Sequence, residues 1–130
     1  MAYDEQMVER WISCQLADRN SPEYDELFDS FMYASDLIHD QPDDAWQFIL
    51  EVLRRNNSAP ILEVLSAGPL EDLLARHGNT VIDRVESEAR VNPNFALLLG
   101  GVWRNRMSEE IWNRVQAVWD RRGWDGTPAA

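Results

Sequence analysis

The sequence predicts an all-α protein, and three observations carry this prediction. Apolar residues recur at the i, i+3, i+4, i+7 spacing that places them on one side of a helix. Five of the six prolines stand just before such stretches, where proline fits the first helical turn because its missing N–H is not needed there. Val, Ile and Thr never cluster into the runs typical of strands. We therefore expect about eight helices, arranged as antiparallel hairpins.

The helix boundaries follow from caps, prolines and glycines taken in chain order. The proline signals are Ser21-Pro22, Gln41-Pro42, Ala59-Pro60, Gly68-Pro69 and Asn92-Pro93. Gly78 and Gly123 each follow two basic residues, which is the pattern of a helix end. These signals and the apolar spacing predict helices at about 3–18, 22–39, 43–55, 59–66, 69–77, 80–91, 93–104 and 108–122.

Two of these helices have informative apolar patterns. The stripe of the second helix contains Tyr24, Leu27, Phe28, Phe31 and Ile38, and we expect it to face a core. The helix at 43–55 is apolar on nearly every side, with polar residues only in a narrow strip that contains Gln47, Glu51 and Arg54. We therefore expect this third helix to run through the middle of the molecule.

An internal repeat appears when the sequence is shifted by 33 residues. Ile49 then aligns with Ile82, Pro60 with Pro93, and Gly68 with Gly101. The repeated unit is a helical hairpin, which predicts a HEAT-like α-solenoid; the alternative is a chance match between amphipathic helices. The expected organisation is a single helical domain at 1–124, with an acidic hairpin at 1–42, a repeat-like core at 43–122 and a flexible tail at 125–130.

Composition excludes several classes of chemistry. All twelve basic residues are Arg, so Schiff-base chemistry and the phosphate-loop lysine are excluded. The single Cys14 excludes an intrachain disulfide and a cysteine-built zinc site, and it favours a reducing compartment. The sequence has neither a signal-peptide pattern nor a long apolar run. We expect a cytoplasmic protein with no membrane anchor and no cofactor.

The negative charge is concentrated near the beginning of the chain. Residues 1–50 carry a net charge of −10, residues 51–102 carry −2, and residues 103–130 carry +1. We expect an acidic face formed by Glu23, Asp25, Glu26, Asp29, Asp36, Asp40, Asp43 and Asp44. Such a face repels nucleic acid and attracts a basic protein, although an acidic surface that only maintains solubility is the alternative.

Carboxylates around His77 are the nearest approach to a chemical site. Glu71 and Asp72 are predicted in the first turn of a helix and His77 in its last turn, where their charges suit the helix dipole. The alternative is a metal or small-ligand site that also uses Asp83 and Glu86. His39 is expected at a solvated helix end and Cys14 as a buried inert thiol. We expect no metal and no catalytic residue.

Tryptophan is concentrated at the other end of the chain. Four of the six tryptophans lie in the last 28 residues. Trp103 and Trp119 are expected in the core, while Trp124 is the candidate for contact with a partner or a second copy in a homodimer. The net charge of this segment argues against direct nucleic-acid binding.

Several motifs carry a resemblance to a known family. They are AGPLEDLL at 67–74, RHG at 76–78, VIDRVE at 81–86, NPNF at 92–95 and LGGVW at 99–103. Over about residues 43–120 the chain resembles a family of small bacterial proteins of unknown function. The resemblance implies an all-helical fold and a bacterial or phage origin, and it transfers no catalytic residue.

These observations favour a non-enzymatic protein-binding module. Its most specific form is an acidic inhibitor of the immunity, antitoxin or anti-defence type that covers a basic surface on a nucleic-acid-binding partner. A small-ligand or metal-dependent helical enzyme using Glu71, Asp72, Asp83 and Glu86 is one alternative. A scaffold or dimerisation domain that associates through its tryptophan-rich end is the other.

Overall fold

A computed structural model describes residues 3–126, and every regular element within that range is helical. The elements are α1 (Glu5–Leu16), α2 (Pro22–Asp40), α3 (Pro42–Arg55), α4 (Ala59–Leu65), a π-helical turn (Ser66–Leu70), α5 (Glu71–Val91), α6 (Pro93–Leu99) and α7 (Glu109–Val118). The all-α prediction is confirmed. The tail predicted at 125–130 lies mostly outside the described residues.

The expected count of eight helices is wrong, because the described chain has six continuous helical runs. Three predicted helices join into one run from α4 through the π turn into α5. Pro69 lies inside the π turn and has no N–H to continue the regular ladder; the Glu71 N–H donates to the Ser66 carbonyl, five residues back. Helix α6 ends at Leu99 and α7 at Val118, several residues before their predicted ends.

Gly78 serves close packing and does not end a helix. At the predicted helix end the structure has only a kink at His77, where φ is −131° and ψ is 30°. Helix α5 continues beyond this kink to Val91. A Cβ atom at Gly78 would lie 3.0 Å from Cγ1 of Ile111 in α7. The glycine therefore lets α5 and α7 approach closely.

The central position of α3 is confirmed. It contacts α1, α2, α4, α5 and α6, and six of its apolar residues are buried: Ala45, Trp46, Phe48, Ile49, Val52 and Leu53. The ring of Phe48 is met by Tyr3, Trp11 and Tyr33, at centroid distances of 6.1, 6.5 and 6.0 Å. Helix α3 thus holds the N-terminal and C-terminal parts of the described chain on one core.

The two halves of the sequence repeat have similar local structure. Each contains a longer helix followed by a seven-residue helix with proline in its first turn, namely α3 with α4 and the end of α5 with α6. The aligned Ile49 and Ile82 are both buried. The units then diverge, because helix follows Gly68 whereas a loop follows Gly101. The solenoid arrangement stays a prediction.

Residues 119–124, the C-terminal strap, fold back over α6. The Asp120 N–H donates to the Ala96 carbonyl at 2.9 Å, Arg121 Nη1 to the Gly100 carbonyl at 2.6 Å, and Trp124 Nε1 to the Leu97 carbonyl at 2.8 Å. The Ala96 and Leu97 carbonyls also accept the Gly100 N–H, so the strap adds second hydrogen bonds at the end of α6 and fastens residues 119–124 to that helix. Separately, no described helix is long and apolar enough to cross a membrane.

Candidate functional site

The predicted acidic face lies on the outside of α2 and at the start of α3. Its members are Glu23, Asp25, Glu26, Asp29, Asp36 and Asp40 of α2 with Asp43 and Asp44 of α3. All are exposed except Asp44, which is half-buried. Asp29 pairs with Arg10 at 2.7 Å, and Asp43 pairs with Arg84. Within the described chain the other six carboxylates make no ion pair, so their negative charge is uncompensated.

An aromatic strip runs along α2 beside the acidic face; it consists of the half-buried Tyr24 and the exposed Phe28, Phe31 and Met32. Phe28 is 37% exposed, Phe31 43% and Met32 50%. The ring centroids of Tyr24 and Phe28 are 5.8 Å apart, and those of Phe28 and Phe31 are stacked at 5.2 Å. The spacing i, i+4, i+7, i+8 keeps all four on one side of the helix.

The aromatic strip corrects the expectation that Phe28 and Phe31 face the core. The buried residues of α2 are Ser30, Ala34, Leu37 and Ile38. Neighbouring helices cover this buried side, and the apolar pattern of α2 is wider than the side they cover. The surplus aromatic residues therefore remain at the surface.

Arginines elsewhere in the fold are held by carboxylates of the same chain. Glu51 accepts hydrogen bonds from Arg54 and Arg55, which lower its pKa to about 2. Arg55 also reaches Glu9 at 3.1 Å and so connects α3 to α1. Arg114 of α7 binds Asp83 at 2.7 Å and Glu86 at 2.6 Å in α5, and its hydrogen bonds lower the pKa of Glu86. These pairs fasten helices together.

The carboxylates of the alternative enzyme site have separate contacts. Glu71 accepts hydrogen bonds from the backbone N–H of Trp103 at 2.9 Å and from Asn105 Nδ2 at 3.1 Å. Asp83 and Glu86 are held by Arg114, as described above, whereas Asp72 lines a groove. Among residues 3–126, no group of three or more His, Cys, Asp or Glu side chains is placed to hold a metal ion.

Glu71 and Asp72 lie in the first turn of α5, as predicted, whereas the prediction that His77 lies in the last turn of a helix is wrong. Leu70 before α5 is already helical, and the Glu71 N–H is bonded to Ser66 and Gly68 carbonyls, so no free helix N-terminus faces the two carboxylates. His77 lies at the kink inside α5, and its Nε2 is 3.2 Å from the His39 carbonyl oxygen. It thus links α5 to the end of α2.

Of the tryptophans expected in the core, Trp119 packs against it whereas Trp103 does not. Trp103, expected in the core, is 74% exposed in the loop before α7. Trp119 is half-buried against Trp112, with a centroid distance of 5.2 Å. Trp124 is half-buried in the C-terminal strap, where a Cβ on Gly101 would come within 2.6 Å of its ring. A partner contact through Trp124 stays a prediction, and part of its surface is already used within the chain.

A groove of about 280 Å³ lies between α1, α2, the π turn and α5. Its polar lining includes Gln15, Arg19, His39, Asp72 and Arg76. Burial of the Asp72 carboxylate against the groove raises its pKa even though the side chain keeps contact with solvent. Sequence reasoning missed this groove because its lining comes from four separate segments of the chain.

Cys14 and His39 are placed as the sequence predicts. Cys14 is buried, and burial raises the pKa of its thiol, which disfavours the reactive thiolate. His39 is exposed near the end of α2, with Nδ1 3.0 Å from the Ser35 carbonyl oxygen.

Comparison with known proteins identifies the family. A model described as a family of unknown function (DUF6869) matches residues 17–123, so the chain belongs to this family. Neither a search of curated proteins nor a search of solved structures gave a match.

Proposed function

We propose that this DUF6869 protein is a non-enzymatic binding module that holds a basic protein partner on α2. The observation that carries the proposal is that the aromatic strip shares α2 with five exposed carboxylates of the acidic face that make no ion pair in the described structure. The most specific form is an inhibitor of the immunity, antitoxin or anti-defence type. It would cover a basic surface that its partner otherwise uses to bind nucleic acid.

The two features of α2 have complementary roles in such a complex. Aromatic side chains that lose water in the centre of an interface supply most of its affinity, and charged residues at the rim contribute mainly to association rate and selectivity. Phe28, Phe31 and Met32 form a continuous apolar centre, and the acidic face forms one rim. A solubilising acidic surface alone would not need the exposed aromatic strip.

The distribution of charge supports a basic partner. The chain has 23 acidic and 12 basic residues, and Arg54, Arg55 and Arg114 are neutralised by internal pairs. The net negative field is therefore strongest around α2, where it would accelerate encounter with a positively charged surface.

Affinity capture with matched variants tests the proposal. Four bait proteins are used, the first of which is wild type. The second, the aspartate variant, combines Asp25→Asn, Asp36→Asn and Asp40→Asn, and the third combines Phe28→Ala and Met32→Ala. The fourth is a control outside α2 that combines Glu63→Gln, Glu109→Gln and Glu110→Gln. Each is used to capture proteins from cells that encode the chain, and captured proteins are identified by mass spectrometry. The affinity of the purified partner is then measured at several salt concentrations.

We expect wild type and control to retain the same basic partner. The aspartate variant should bind more slowly and lose most of its salt dependence, and the Phe28/Met32 variant should dissociate faster, with a Kd raised roughly tenfold or more. Equal affinity for all four proteins would contradict the proposal. So would a partner whose contact surface is acidic.

A homodimer is the second candidate, and the exposed Trp103 favours it. Light scattering of wild type, Trp103→Ala and Trp124→Ala distinguishes the two functions. A dimer that dissociates when either tryptophan is removed would indicate a scaffold, whereas a monomer at all concentrations would leave partner binding as the function.

A further inference from the structure

We infer that the groove between α1, α2, the π turn and α5 binds a small organic anion that has an aromatic or other apolar body. This site is separate from partner binding in its chemistry, because its apolar wall is concave and its lining carries two arginines against one carboxylate.

The wall of the groove suits one or two rings. Trp11 and Ile38 are buried at its base, Phe31 stands at its edge with 43% exposure, and Val64 and Pro69 line the side formed by α4 and the π turn. A cavity of about 150 Å³ is enough to hold benzene. The volume of about 280 Å³ therefore accommodates a body of roughly twice that size.

The positive charge comes from two arginines without partners. Of the twelve arginines in the chain, eight make an ion pair or a hydrogen bond in the structure. In the described chain Arg19 and Arg76 make neither, although acidic residues outnumber basic ones nearly two to one. Both line the same groove, with the imidazole of His39 beside them. Two guanidinium groups in one concave site favour an anionic ligand.

Gln15 provides an additional hydrogen-bonding group. It lines the groove, and its Nε2 is buried without a hydrogen-bond partner within the described chain. Buried donors are normally paired, so an unpaired one marks a position where a ligand oxygen or ordered water is expected.

Asp72 is expected to affect ligand affinity in the direction opposite to Arg19 and Arg76. It is the single carboxylate in the lining of the groove, and its negative charge opposes an anionic ligand. Removing this charge with Asp72→Asn should therefore strengthen binding, whereas Arg19→Gln and Arg76→Gln should weaken it. A nonspecific apolar site would not respond with opposite signs.

The experiment uses naphthalene-1-sulfonate, which has two fused rings, as an anionic probe and naphthalene-1-sulfonamide as its neutral counterpart. Binding is measured by fluorescence titration, and amide chemical shifts locate the probe on the protein. The matched controls are Arg90→Gln, which removes an unpaired arginine outside the groove, and Met32→Ala, which alters the aromatic strip at a residue that does not line the groove. Circular dichroism verifies that every variant is folded.

We expect Arg19→Gln and Arg76→Gln each to raise the Kd of the sulfonate about 3- to 10-fold and Asp72→Asn to lower it about 2- to 5-fold. Arg90→Gln and Met32→Ala should leave it unchanged. The neutral probe should bind more weakly and be insensitive to the arginine variants. Absence of saturable binding, equal effects of the groove and control variants, or shifts confined to the aromatic strip would overturn the inference. None of these results depends on a protein partner.

Discussion

Helices α2 and α3 are adjacent in the chain and separated by only one residue, yet most apolar side chains of α3 are buried whereas several large ones of α2 are exposed. Both begin with proline and both are rich in apolar residues. Helix α3 buries six apolar side chains and pairs Glu51 with its own arginines. Helix α2 leaves Phe28, Phe31 and Met32 at the surface, and of its acidic-face carboxylates Asp29 alone makes an ion pair in the described structure. The comparison teaches that the helices packed around a segment decide whether its apolar residues become core or binding surface.

The largest difference between α2 and α3 should appear in the free energy of unfolding when a charged residue is placed on each helix. Ile49→Asp in α3 puts a carboxylate at a position that is 1% exposed, and we expect it to destabilise the protein by about 4 kcal/mol or more, because an unpaired buried charge adds to the lost packing. Met32→Asp in α2, where the side chain is 50% exposed, should cost less than about 1 kcal/mol.

Chemical denaturation of Ile49→Asp, Met32→Asp and wild type measures this contrast, with Gln47→Asp as a control at an exposed position of α3. Similar losses at positions 49 and 32 would show that α2 is packed as tightly as α3. Such a result would contradict the conclusion that α3 is core and that this side of α2 is surface.

A smaller contrast concerns the dependence of stability on pH. The pKa of Glu51 is lowered in the folded state, so its ion pairs stabilise the protein above the ordinary glutamate pKa. That stabilisation is lost as pH falls from about 5 toward about 2. Glu51→Gln should therefore reduce stability at pH 7 by on the order of 1 kcal/mol, allowing for solvent screening, and make little difference at pH 2.

Thermal unfolding of wild type and Glu51→Gln across this pH range measures the effect. The exposed Glu63→Gln serves as the control, because Glu63 makes no ion pair in the described structure. A Glu51→Gln penalty that stays constant from pH 7 to pH 2 would contradict the assigned role of the Arg54 and Arg55 pairs.

The smallest effect is expected from neutralising carboxylates on α2. Asp36→Asn with Asp40→Asn removes two unpaired negative charges from a surface that already carries many. We expect a change in stability within about 0.5 kcal/mol, in the stabilising direction at low ionic strength and vanishing at high salt. Melting curves at two salt concentrations test it, and a clear loss of stability would indicate that these aspartates have structural partners.

Proline positions and helical spacing predicted the fold class because both act locally. Pro22, Pro42, Pro60 and Pro93 all lie in the first turn of a helix. Pro69 was misassigned because local rules cannot distinguish a proline that starts a helix from one accommodated in a widened turn. Gly78 was misassigned for a related reason, since its role depends on Ile111, a residue of another helix.

The candidate surfaces were only partly predictable. Composition located the acidic face, because eight carboxylates near the beginning of the chain contribute charge wherever the helices pack. The apolar spacing showed which residues of α2 share a side, but it contained no information on whether another helix covers Phe28 and Phe31. Trp103 was misplaced for the same reason.

The contacts of the C-terminal strap have a consequence for the order in which this protein folds during synthesis. Helix α6 has only seven residues, too few to be stable alone, and its last carbonyls find partners in Asp120, Arg121 and Trp124. Those partners leave the ribosome more than twenty residues later. The hydrogen bonds between the strap and the end of α6 can therefore form only after residues 120–124 have been translated.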